Sequence, residues 1–118
     1  MNAGTTQRWL IQAGLGILLV ILLGVHLTVN HWVAPQGLLS YADIVHYYDV
    51  PGIAWMESIF LIVVVAHCLL GMHSILLDLN LRPNLARTLT WFLVVAGLMA
   101  ILYGIWLVGV VRTVSVSP

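Results

Sequence analysis

The stretch His67-Cys68-Leu69-Leu70-Gly71-Met72-His73, running on to Asp78, lies in an apolar segment that begins near Ile53. An imidazole in hydrocarbon is costly, so an ionisable residue at membrane depth is a functional-site candidate by default. On a helix, His67, Gly71, Ser74 and Asp78 fall at i, i+4, i+7 and i+11, along one face. That face offers a metal ligand, a missing side chain one turn away, a hydroxyl, and a carboxylate at the membrane edge. Neutral imidazole is a standard axial ligand of haem iron, and a glycine beside it lets a flat macrocycle approach the backbone. The plainer alternative is a histidine bonded to a neighbouring helix and a glycine used only for packing. Both readings stay open on this segment alone.

His26, in Gly24-Val25-His26-Leu27, is a second histidine at membrane depth. Counting the helical rise, it lies roughly 25 Å from the start of its segment, and His67 roughly 17 Å from the same side. A difference of a turn or more disfavours one iron between the two and favours two haems, each completed by a partner chain. Helix-to-helix hydrogen bonding is the alternative for His26. His31, beside Trp32 at the boundary, is a candidate for holding a haem propionate, although an interfacial Trp with polar neighbours is ordinary belt chemistry. His73, away from the His67 face, is another propionate candidate. Asp78 and Glu57 read as carboxylates where a helix meets the interface. His46 reads as solvated. Cys68 is the only cysteine, so no disulfide forms within the chain. Without a Cys-x-x-Cys-His pattern, any haem is b-type, held without covalent bonds.

The elements that must position these residues follow from composition. Of 118 residues, 62% are hydrophobic and only 7% charged, against about 25% charged in a soluble domain. Such a chain cannot cover a globular surface with polar groups, and it is not basic enough for nucleic acid. It reads as an all-α membrane protein, one anchor domain over residues 1–118. Three segments reach the length of about 20 apolar residues that spans a bilayer: about 9–33, 53–78 and 89–111. Between the first two, Pro35, Gly37, Pro51 and Gly52 bracket Leu38–Tyr48, which reads as a short interfacial helix. The first segment is too long for a signal core and no small-x-small site precedes the loop, so it is expected to stay as a helix. The absence of an Arg/Ser-rich transit segment favours a prokaryotic plasma membrane.

Arg8, Arg82 and Arg87 place the N-terminus and the second connection in the cytoplasm by the positive-inside rule, with the C-terminus outside; Arg112 dissents from a helix end. Three helices make a thin bundle, so their polar faces are expected to point at a partner subunit. Gly14, Gly16, Gly24, Gly97 and Gly104 permit close helix contacts, or merely reflect how common glycine is in membrane helices. No nucleophile triad, phosphate loop or paired intramembrane carboxylate is present, so the chain carries no complete active site of its own.

With these residues in view, the chain resembles the small D-type membrane-anchor subunits of succinate dehydrogenase and the related fumarate reductases. The resemblance covers almost the whole length and is most specific from His67 through Gly71-Met72 to Asp78, the Arg82-Pro83 turn, and Tyr103-Gly104. It implies that His67 is an axial ligand of haem b, opposed by a ligand from a sister, C-type anchor subunit. It implies further that His26 ligates a second haem nearer the outside, as in the two-haem branch, with one extra residue between Gly24 and the histidine. Iron–sulfur and flavoprotein subunits, a quinone and membrane lipid are the implied partners, with Ser74, Asp78 and Arg82 as quinone-site candidates.

Two departures from the family pattern matter. Many relatives carry Arg at the position of His73, where it touches a propionate. Ubiquinone-reducing members carry Tyr after the aspartate, where this chain has Leu79. A leucine donates no hydrogen bond, which favours a menaquinone or a pocket built mostly by other chains. Two other classes stay in play: a small transporter or channel subunit using His26, His67 and Asp78 as a proton path, and a haem-free anchor using the histidines as helix glue.

Overall fold

A computed structural model describes residues 3–33 and 40–115. The expected turn residues Pro35 and Gly37, and the start of the interfacial helix at Leu38, lie outside the described residues. The described chain is all helical, in four helices: α1 (Ala3–Val33), α2 (Tyr41–Asp49), α3 (Ile53–Asp78) and α4 (Pro83–Ser115). Three of them, α1, α3 and α4, are long and apolar enough to cross a membrane.

Two boundaries differ from the sequence expectation. α1 begins at Ala3 rather than near Trp9, and α4 begins at Pro83 rather than near Leu89. Hydropathy marks where a helix is apolar, not where its hydrogen bonds begin. Pro83 takes the first helical position, where its missing N–H costs nothing and its fixed φ favours the helix. The turn is completed by the Ala86 N–H donating to the Arg82 carbonyl at 3.0 Å. The preceding connection is tight because Asn80 adopts a φ of 49°, a left-handed conformation that a short amide side chain tolerates.

The short helix α2 is set by a capping box. Ser40 Oγ accepts from the Asp43 N–H, and the Ser40 N–H donates to Asp43 Oδ2 at 2.8 Å. These hydrogen bonds to Ser40, side chain first, hold the Asp43 carboxyl below its usual range. Gly52, at a φ of 90°, then turns the chain directly into α3.

Helix α3 is the centre of a slab: among the described residues α1 and α4 each pack on α3 and not on one another, while α2 lies across the end where α3 begins and packs mainly on α4. A slab three helices wide has little interior. Among the described residues only Tyr47, Ile53 and Val63 are buried apolar side chains, whereas Trp55, Trp91, Phe92 and Trp106 stand out. Those faces are left for lipid and partner chains.

Of the five glycines expected at helix contacts, the structure uses three. A Cβ at Gly97 would lie 2.7 Å from Leu69 Cδ1 and 3.1 Å from Val65 Cγ1, and one at Gly104 would run into Leu61. Gly16 admits His67, and nothing crowds Gly14 or Gly24. Leu61, Val65 and Leu69 are one turn apart, so they form a ridge that the two α4 glycines receive. Overpacking such a contact typically costs about 1–3 kcal/mol. Gly104→Leu is therefore expected to lower the thermal midpoint of the purified protein, while Gly14→Leu, in open space, leaves it near the parent value. Equal midpoints for the two variants would refute the ridge-and-glycine account.

Candidate functional site

Two polar clusters lie at different depths of the slab. The first occupies the groove between α1 and α3, toward the α3–α4 connection. His67 leans on α1: its Cε1 would be 3.2 Å from a Cβ at Gly16, so the absence of that Cβ lets the ring reach the opposite helix. Among the described residues His67 Nδ1 is buried without a hydrogen-bond partner, and so is Gln12 Oε1. A buried polar atom left unpaired costs about 1–3 kcal/mol. Two such atoms in one groove indicate a place shaped for another chemical group. Gly71 faces α1, where Gln12 Nε2 would lie 3.1 Å from a Cβ.

The groove widens toward the connection into a cavity of about 460 Å³, lined among others by Arg8, Trp9 and Gln12 from α1 and His73, Ser74 and Asp78 from α3. Ser74 spends its hydroxyl proton on the Leu70 carbonyl at 3.0 Å, which leaves the oxygen lone pairs toward a ligand. Cation, imidazole, hydroxyl and carboxylate thus share one half-apolar space. That combination can orient a polar ring or hold an anionic group.

The second cluster lies under α2. His26 Nδ1 is 2.8 Å from Glu57 Oε1, and the Tyr47 hydroxyl donates to the same oxygen. The Asn30 amide donates to the His26 carbonyl at 2.7 Å, and the imidazole meets the Phe60 ring at 5.1 Å between centroids. A small open cavity of about 160 Å³ is lined by His26, Asn30, Ile44, Tyr47, Tyr48 and Glu57. Burial, then the hydrogen bond to Glu57 and its charge, push the Tyr47 phenol well above its usual range; burial, then the Glu57 charge, raise Tyr48. Tyr47 is therefore a fixed hydrogen-bond donor. Three elements are tied at one carboxylate.

Gly16, which receives His67, and His26 are ten residues apart on α1, as are Glu57 and His67 on α3. Ten residues of helix rise about 15 Å, so the two imidazoles do not face one iron. The separation agrees with the difference of a turn or more expected from sequence.

Among the described residues no three His, Cys, Asp or Glu side chains converge to hold a metal ion. A metal at either histidine would therefore arrive within a cofactor that supplies most of its own ligands. Each imidazole could fill that role through its Nε2, which makes no hydrogen bond among the described residues.

No family model and no solved structure matches the chain. A curated protein does: the succinate dehydrogenase hydrophobic membrane anchor subunit of Archaeoglobus fulgidus, 29% identical over 99 residues, which cover 84% of each chain. The chain is similar to this succinate dehydrogenase membrane anchor over most of its length.

The remaining expected site residues are spread out. His31 is exposed near the end of α1, on the α2 side of the slab. Arg82 is exposed in the connection and does not line the cavity; Arg8 does, from the facing helix. Cys68 is exposed and His46 Nδ1 stands 3.7 Å from Asp49 Oδ2, in line with their bland readings. Sequence reasoning missed Gln12, and it took Glu57 for a solvated carboxylate; the Glu57 side chain is only 12% exposed. The available signal was that each is a polar residue inside a long apolar helix, where a partner is obligatory.

Proposed function

We propose that this multi-pass anchor belongs to a succinate:quinone oxidoreductase, where it binds haem b through His67, walls part of a quinone pocket, and tethers the flavoprotein and iron–sulfur subunits. The observation that carries the haem reading is His67 itself, an imidazole at membrane depth that leans on Gly16 and makes no hydrogen bond among the described residues, so that its Nε2 stays available to a ligand. When bound, haem supplies a one-electron site with its iron in a low-dielectric shell. This chain would hold the haem through His67, with Gln12 and His73 as donors near it, and a sister C-type subunit would supply the other protein ligand.

The quinone pocket is placed in the cavity of Arg8, Trp9, Gln12, His73, Ser74 and Asp78. Arg8, Arg82 and Arg87 gather at that end of the slab, which supports its being the cytoplasmic one in a prokaryotic plasma membrane. The soluble subunits would dock there, beside the cavity. Leu70 and Leu77 supply the apolar wall, and Leu79, next to Asp78, is exposed and donates nothing, which favours a menaquinone. His26 lies about 15 Å deeper along α1 and is assigned a second haem nearer the outside, with His31 as a propionate donor.

Visible spectroscopy of the purified complex tests this reading. The expected result is a Soret band with sharp b-type alpha absorption and two haems per complex by pyridine haemochrome. One haem removes His26 from the ligand set. A spectrum without haem leaves the cofactor-free anchor or the proton-path subunit.

A further inference from the structure

We propose that Glu57 is a positioning residue for an iron ligand at His26, and that Tyr47 tempers it; this rests on the assignment of a second haem to His26. Two groups meet Glu57 Oε1: the Tyr47 hydroxyl, and His26 Nδ1 at 2.8 Å. Since the phenol donates, the shared oxygen is assigned as acceptor of both, and Nδ1 carries the proton. The imidazole is thereby locked in the tautomer whose free lone pair is on Nε2. Among the described residues Nε2 has no hydrogen-bond partner and is not sealed off, since the His26 side chain is 30% exposed. Phe60, tilted at 33° against the ring, restricts its rotation.

This is the arrangement in which metal-ligating histidines are commonly held: the far N–H donates to a carboxylate, which fixes the ring and makes the near nitrogen more basic. The side chains of Glu57 and Tyr47 are largely shielded, so little water intervenes. A basic, negatively supported imidazole favours ferric over ferrous iron. Tyr47 works against it by donating to the same oxygen, drawing charge away from the histidine. His67 has no such carboxylate, its Nδ1 being without a partner among the described residues. The two ends of the slab thus differ in the group behind the imidazole, not only in depth.

The consequence is a pair of opposite signs. In the assembled complex, Glu57→Gln is expected to raise the midpoint potential of the His26 haem and to weaken its retention about 10–100-fold. Tyr47→Phe is expected to lower that potential, because the carboxylate loses a competing donor. Both variants loosen the tie between α2 and the slab, so a merely structural role moves both potentials in the same direction or neither. Potentiometric spectra of the two variants, with His26→Ala identifying the band, decide the matter. Potentials that stay unchanged or move together overturn the inference while leaving His26 as a ligand. A His26→Ala spectrum identical to the parent overturns both the inference and the second-haem assignment. If Glu57→Gln fails to retain haem, Tyr47→Phe decides alone: a lower potential supports the role, and an unchanged or higher one refutes it.

Discussion

Replacing His67 with alanine is expected to abolish the low-spin b-type signal of one haem, or to leave a five-coordinate iron that binds carbon monoxide. Alanine offers no lone pair, and no other imidazole is within reach: His73 lies six residues on and His26 about 15 Å away along the helices. The variant also leaves the Gly16 notch empty, so assembly has to be followed separately. Succinate oxidation with an artificial soluble acceptor, measured on membranes, reports that. A retained activity with a lost haem isolates the ligand role. Full haem content and an unchanged low-spin spectrum would remove His67 from the ligand set and leave it as a packing histidine.

Asp78→Ala is expected to reduce quinone reductase activity about tenfold or more, while electron transfer to the soluble acceptor stays near the parent rate. The magnitude is that of one hydrogen bond to a charged group, worth about 1.5–3 kcal/mol. Asp78 is exposed at the mouth of the groove cavity, with Arg8, His73 and Ser74 around the same space. Its carboxylate there can orient a donor or a water toward a quinone oxygen. Arg8→Gln is expected to act in the same direction and Arg82→Gln much less, since Arg82 does not line the cavity. Equal loss of both activities in Asp78→Ala means failed docking of the soluble subunits. No loss of either means that the pocket is built by other chains.

Several features were legible from residues alone, each for a local reason. The three spans follow from uninterrupted apolar length. His67 stood out because an imidazole at that depth is expensive wherever the helix is placed. Even the helix starts had signals, in Pro83 and in the capping residues Ser40 and Asp43, that a hydropathy scan passes over.

What the sequence could not determine was which residue meets which across the helices. A helix that is apolar on every side does not announce which face its neighbour takes, because lipid and protein are nearly equivalent solvents for leucine. Rotation and register are then decided by small steric and polar events: Gly97 and Gly104 receiving the Leu61–Leu69 ridge, Gly16 receiving His67. Those contacts turn Gln12 into the gap at Gly71 and bring Arg8 to the cavity in place of Arg82. They also carry Glu57 to His26 across 31 positions of sequence. Composition and spacing settled that this chain spans a membrane and which imidazole is costly there. Only the packing of α1, α2 and α3 determined which polar groups stand behind each histidine, since that depends on the relative rotation of helices whose surfaces are almost uniformly apolar.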